Sequence, residues 1–190
     1  MSITKTEPMT EEAYRQFALG DLKGQWELVR GHLREKPGMS VEHGAVMTNL
    51  MELLVLQLDR KEFRLRAMHA RLRRSADTYY VPDVVVIPAR LEQVLRQRAN
   101  SLDAYSEPLP LVVEIWPPST GNYDIGEKVP DYQQRGDLEI WRIHPYERTV
   151  TRWQRRTDGT YGESVLRGGI VHPLALPGAA INLDVLFAEA

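Results

Sequence analysis

From Ser40 onward, apolar residues recur every three or four positions: Val46, Leu50, Leu53, Leu54 and Leu58. That spacing puts them on one face of a helix and predicts that this face packs on a core. Ser40 is placed to cap the helix, Glu42 and His43 fall in its first turn, and Asp59-Arg60 lies near its end. A shorter helix is expected over Thr10–Leu19, with Thr10 as cap, Glu11 and Glu12 in the first turn and Gly20 just past the end. Runs enriched in β-branched and aromatic residues predict strands at Phe63–Arg73, Tyr79–Ile87, Leu109–Ile115, Leu138–His144 and Thr149–Arg155. Gln25–Glu35 reads as one or two short strands turning near Arg30-Gly31, with Trp26, Leu28 and Leu33 as candidates for the inner face.

Between the strands, Leu91, Val94 and Leu95 suggest a short helix, followed by a loop over Asn100–Pro110. Asp124–Arg135 is helical in spacing and stops at Gly136, but it contains Pro130. Proline costs about 3 kcal/mol inside a helix and is comfortable in the first turn. The regular helix is therefore expected from about Val129, with Lys128 at its entrance. Tyr146-Glu-Arg reads as a hairpin turn. Leu176-Pro-Gly is a turn before an apolar terminal element carrying Leu183, Val185, Leu186 and Phe187. The order of elements predicts a mixed α/β sheet flanked by helices, an α+β arrangement. No repeat or composition break divides residues 1–190, so a single domain is expected. Residues 1–20 would form an N-terminal helical extension and 176–190 a docking segment.

Two of the strand-like runs each carry one carboxylate among apolar neighbours: Asp83 in Tyr80-Val-Pro-Asp-Val-Val-Val-Ile87 and Glu114 in Leu111-Val-Val-Glu-Ile115. A buried charge is costly unless it is paired or bound to a metal. Alternation along the second run puts Val112, Glu114 and Trp116 on one face and Val113 and Ile115 on the other. Neighbouring strands lie about 4.8 Å apart. Two acids near the ends of paired strands can therefore share one hard divalent cation, with oxygen ligands at about 2.0–2.1 Å for Mg²⁺.

Each of these residues also has an ordinary structural reading. Asp83 could be a solvated acid at a strand edge, Glu114 half of a buried ion pair with an arginine, and Lys128 a surface lysine. His43 and Glu42 suit either a helix start or support of a nearby site. Asp124 is spaced to pair with Lys128 along the helix. His32, His69, His144 and His172 show no metal-ligand spacing. Arg60 to Arg74 holds seven Lys or Arg and one acid, Glu62. With Arg152, Arg155 and Arg156 it fits either a phosphate-tracking surface or a solvated, charge-protected edge strand. Trp26, Trp141 and Trp153 read as core, and Trp116 as the aromatic nearest the carboxylates.

Composition narrows the classes. The chain has 190 residues, 43% hydrophobic and 26% charged, which is ordinary for a globular protein with a sizeable core. A formal net charge of −2 gives no global attraction to nucleic acid or to anionic lipid. With no cysteine there is neither a disulfide nor a thiolate site. The first twenty residues lack the apolar stretch of a signal peptide, and no apolar run reaches the roughly 18 residues of a membrane helix. A soluble, cytoplasmic protein is expected.

Several of these pieces occur in a characteristic order. They are Trp26-Glu-Leu-Val-Arg-Gly31, Glu42-His43-Gly44, Val81-Pro-Asp-Val84, Leu111-Val-Val-Glu-Ile115, Pro118-Ser-Thr120, Asp124 to Lys128, Tyr132, Gly136, Glu139-Ile-Trp141 and Leu176-Pro-Gly178. This ordered set resembles the PD-(D/E)XK nuclease superfamily and, within it, the Uma-type family of bacterial restriction endonucleases. The resemblance implies a restriction-endonuclease-like fold and hydrolysis of nucleic-acid phosphodiesters, DNA favoured, with Mg²⁺ or Mn²⁺ as cofactor. It implies that Asp83, Glu114 and the Ile115 carbonyl hold the metal, that Lys128 assists the water or the transition state, and that His43 supports the site. A homodimer would suit a double-strand cutter. Where the superfamily's name sets its lysine, two residues after the acid, this chain has Trp116; the Uma-type pattern takes the lysine from the following helix. Two other readings stay open: a nuclease-fold binding or assembly protein without catalysis, and a structural or small-molecule-binding protein whose acids are internal ion pairs.

Overall fold

The computed structural model describes residues 8–20, 25–116 and 124–189, the side chains of Asp124 and Ile125 apart. Two sheets organise them. One has the strand order β2 (His32–Glu35), β1 (Trp26–Val29), β5 (Thr78–Tyr80), β4 (Arg71–Ser75), β7 (Ala104–Tyr105). The other runs β11 (Tyr161–Leu166), β10 (Thr149–Arg155), β9 (Glu139–His144), β8 (Leu111–Ile115), β6 (Val84–Pro88), β3 (Phe63–Ala67). A short pair, β12 (Ile170–Val171) with β13 (Ile181–Asn182), closes the C-terminal end. The helices are α1 (Glu11–Gly20), α2 (Val41–Val55), α3 (Ala89–Arg96), α4 (Val129–Arg135) and α5 (Leu183–Leu186). The expected mixed sheet flanked by helices is present. No helix among the described residues is long and apolar enough to cross a membrane.

The central strands of the six-stranded sheet, β6 and β8, are buried on both faces. On one side, Val84, Val86, Val113 and Ile115 pack with Val46, Leu50 and Leu54 of α2 and with Leu183, Leu186 and Phe187 of the terminal segment. On the other, Val85, Ile87, Val112 and Ile140 pack with Tyr132 of α4, Tyr80 and Trp153. Each such leucine or valine contributes about 1.5–3 kcal/mol when fully buried, so the predicted stripe of α2 fixes that helix to the sheet. A smaller core of Tyr14, Leu28, Tyr79 and Leu102 lies under α1.

Two of the expected strands are each broken in two. Phe63–Arg73 is β3 and β4, and Tyr79–Ile87 is β5 and β6. The ribbon pairs β4 with β5 in one sheet and β3 with β6 in the other, bending between them. The bend falls at Met68, in the left-handed region with φ 51°, and at Val81-Pro82-Asp83. Pro82 has no N–H for a ladder, and the N–H of Val81 goes to Glu27 Oε1 at 2.9 Å. Met68 N–H staples the bend by donating to the Asp83 carbonyl at 2.9 Å. Asp83 thus stands at the corner where one sheet passes into the other. The corner also divides the arginine-rich stretch: Arg64 and Arg66 belong to one sheet, Arg71 and Arg73 to the other.

Other boundaries follow the sequence closely. Ser40 Oγ accepts the His43 N–H at 3.2 Å, the expected cap of α2, although the helix ends at Val55, short of Asp59-Arg60. Asp124–Lys128 forms a π-helical turn that runs directly into α4, with Pro130 in the first turn and Gly136 at φ 82° past its end. The turn between β9 and β10 falls at the expected Tyr146 to Arg148, and β11, which the sequence reading omits, extends that hairpin.

Candidate active site

Antiparallel pairing sets Val84 of β6 against Val113 of β8, and one further step of that register brings Asp83 opposite Glu114. Both acids are almost wholly buried, at 3% and 2% exposure. Asp83 Oδ2 accepts the Ile115 main-chain N–H at 2.7 Å and the His43 Nε2–H at 3.2 Å. An ionised carboxylate can only accept, which fixes the direction of the histidine bond. Asp83 Oδ1 accepts from Lys36 Nζ at 2.8 Å, and the same ammonium donates to the Val81 carbonyl at 2.6 Å. Burial acts to raise the pKa of Asp83, but the Lys36 charge and the His43 bond outweigh it and hold the carboxyl well below the usual carboxylate range. Burial likewise acts to lower Lys36; the Asp83 charge outweighs it and keeps the ammonium above its ordinary value.

Glu114 is held from the other side by α4. Its Oε1 accepts from Lys128 Nζ at 3.2 Å and from the Tyr132 hydroxyl at 2.6 Å. Lys128 and Tyr132 are four residues apart, one helical turn, so both reach the same carboxylate. Lys128 Nζ also lies 2.9 Å from Glu27 Oε1 and 5.9 Å from the centre of the Tyr80 ring. Glu27 is a third buried acid, 2% exposed, projecting from β1.

Four acids, three Lys or Arg side chains and His43 therefore line one small cavity of about 30 Å³, with Ile115 on its wall. A volume of that order admits one or two water-sized occupants. His43 Nδ1 is buried without a hydrogen-bond partner among the described residues. Since His43 lines the cavity, a polar occupant is what that atom calls for.

The structure brings together Asp83, Glu114, Lys128, His43 and Ile115, which the sequence selects from four separate segments. It adds Lys36, Glu27 and Tyr132. Glu27 had a readable signal, the same one as its partners: a carboxylate inside an apolar run, Trp26-Glu-Leu-Val29. Lys36 had none, sitting in the polar stretch Glu35-Lys-Pro-Gly38. Glu42 stays outside the cavity, half-buried and accepting from the Tyr146 hydroxyl at 3.2 Å. Pro118-Ser-Thr120 and the Asp124 side chain lie outside the described residues.

The arginine-rich stretch is committed internally. Arg64 and Arg66 bind Glu92, Arg66 also Asp103, Arg73 binds Glu11, and Arg74 binds Asp131. Trp116 stacks on His144 with ring centres 4.2 Å apart. Trp141 is fully buried, Trp153 nearly so, and Trp26 half-buried.

Residues 11–185 match the family Uma2, described as "Putative restriction endonuclease". The chain belongs to this family. Among solved structures it is similar to the crystal structure of a putative nuclease belonging to DUF820 from Anabaena variabilis ATCC 29413. That likeness has a TM-score of 0.75 at 17% identity and covers 95% of this chain and 98% of the other, so it speaks to the fold. No curated protein matches the chain.

Restriction-endonuclease-like proteins generally use a divalent metal, and the Uma2-family site can be tested for its fit to one. Among the described residues no group of three or more His, Asp or Glu side chains forms a ready-made metal cage. Mg²⁺ does not require one: it keeps several waters and is commonly held by one or two carboxylates. Asp83 and Glu114 line one cavity with hard oxygen donors beside Ile115, and its four acids outnumber its three Lys or Arg side chains by one. The donor chemistry fits a hard dication. The same lysines are also what the ion-pair reading of the two acids expects, except that here a cavity remains between them.

Proposed function

We propose that this protein is a metal-dependent endonuclease that hydrolyses nucleic-acid phosphodiester bonds, DNA favoured, at the corner formed by Asp83 and Glu114. The observation that carries this reading is the meeting of both buried carboxylates, Lys128 and His43 around one cavity, from four segments of a chain in a restriction-endonuclease family.

Asp83, Glu114 and the Ile115 carbonyl would hold Mg²⁺ or Mn²⁺, which supplies Lewis-acid chemistry: a polarised phosphoryl oxygen, a more acidic water and a stabilised leaving oxygen. The chain's own residues do the rest. Lys128 is a positioned donor whose ammonium Glu27 and Glu114 hold in place, ready for charge that builds on phosphoryl oxygens in the transition state. Tyr132 keeps Glu114 from swinging toward Lys128 alone. His43 and the Ile115 N–H orient Asp83, taking up Oδ2 and leaving Oδ1 toward incoming cations. In-line attack of water on phosphorus breaks the P–O bond, and the departing oxygen leaves as a hydroxyl. A two-fold dimer would offer one such centre to each strand of a duplex.

The second reading, a nuclease-fold binding protein without catalysis, is favoured by one observation: a lysine already sits on each carboxylate. Plasmid and single-stranded oligonucleotide cleavage separates the two. Metal-dependent cleavage by the wild type that D83N loses supports the endonuclease. Cleavage that D83N retains in full removes Asp83 from the site, and binding without cleavage in Mg²⁺ and in Mn²⁺ supports the second reading.

A further inference from the structure

Lys36 is the site residue that the family resemblance does not account for. It enters from the stretch just after β2, its side chain is only 9% exposed, and its ammonium lies 2.8 Å from Asp83 Oδ1. Of the four lone-pair positions on the Asp83 carboxylate, two on Oδ2 are used by Ile115 N–H and His43. Oδ1 is therefore the atom left for an incoming cation, and Lys36 already takes one of its two lone-pair positions. The Val81 carbonyl, which also accepts from Lys36, fixes the ammonium there. In the low dielectric of a buried pocket a resident positive charge opposes a second one strongly.

We infer that Lys36 is a built-in counter-cation of the metal site: it neutralises Asp83 in the metal-free protein and competes with the divalent ion for Asp83 Oδ1. This rests on the metal-binding reading above. A dication at Oδ1 must displace the Lys36 ammonium or share the oxygen with it against its charge, so the lysine sets how tightly metal is held. It also lets Asp83 stay charged and buried without metal, where a lone carboxylate would be costly. Lys36 is a positioning residue, acting on the metal through Asp83.

Mn²⁺ binding, followed by the electron paramagnetic resonance of free Mn²⁺ at constant pH, tests this without recourse to activity. The proteins are wild type, K36M, K36Q, K36R and D83N. K36Q keeps a donor for the Val81 carbonyl while removing the charge, and serves should K36M fail to fold. Removing the charge is expected to tighten Mn²⁺ binding by at least about tenfold. K36R, which keeps the charge, is expected to stay near the wild type. In thermal unfolding, Mn²⁺ should raise the midpoint of K36Q more than that of the wild type. Unchanged or weaker binding in K36Q, with D83N lacking the site, would overturn the competition while leaving the metal reading standing. Equal binding by wild type and D83N would overturn the metal assignment and this inference with it.

Discussion

Asp83 and Glu114 show how a charge can survive in a buried strand. Neither is isolated: Asp83 has a lysine, a histidine and a main-chain N–H, and Glu114 has a lysine and a tyrosine hydroxyl. Each carboxylate was legible in the sequence because it interrupts an apolar run. Lys128 was legible through its place at a helix entrance together with the family pattern. Lys36 was not, because a lysine in a polar stretch after a short strand looks the same whether it points to solvent or to a carboxylate. Glu27 lies in the middle, since its apolar neighbours gave a signal that only the fold connects to Lys128. Its role makes a prediction. E27Q keeps the shape and an acceptor for Val81 N–H but removes one of the two charges holding Lys128. Cleavage by E27Q is expected to fall roughly 10- to 100-fold, the usual size for the loss of a supporting partner. The rate under saturating metal is the measurement, and full activity would separate Glu27 from the role proposed for Lys128.

At the scale of elements, periodicity served the helices better than the strands. The long apolar stripe of α2 and the proline-permissive first turn of α4 leave little freedom, and both helices begin where the spacing puts them, although α2 stops at Val55, before Leu58. The strands β3–β4 and β5–β6 each read as one run because nothing in β-propensity marks a passage from one sheet to another. The physical cue was Pro82, which removes a ladder donor at the bend. α1 offers a prediction of its own. Glu11 binds Arg73 and the Tyr79 hydroxyl across to the sheet, and these bonds, Arg73 first, lower its pKa from 4.5 to about 2. A folded-state value below the unfolded one stabilises the protein above the unfolded pKa, and that contribution disappears as the pH falls through the folded value. The wild type should therefore exceed E11Q in stability by roughly 1 kcal/mol near neutral pH, a modest figure because the pair is partly solvated. The gap should close between pH 4.5 and about 2. Urea unfolding of both proteins across that range is the check, and a gap independent of pH would contradict the pairing.

For the whole molecule, the sequence conveyed the class and one centre but not the geometry that makes the centre. Mixed sheet, flanking helices and a docked terminal element all follow from burial patterns. The second sheet does not, since it exists only because two strand pairs bend together at Met68 and Asp83. That bend turns a solvated-edge candidate into a buried carboxylate opposite Glu114. The net charge is −2, and Arg64, Arg66, Arg73 and Arg74 of β3 and β4 are engaged by Glu92, Asp103, Glu11 and Asp131. Under the proposed function, the chemistry at Glu114 is the decisive quantity.

The most direct measurement is the single-turnover rate of phosphodiester cleavage by wild type and E114Q at saturating Mn²⁺. Loss of the Glu114 charge removes one proposed metal ligand and one of the two anchors of Lys128. The E114Q rate is expected to fall by at least about 100-fold with the fold intact by circular dichroism. An E114Q rate equal to that of the wild type would contradict the assignment of this corner as the active site.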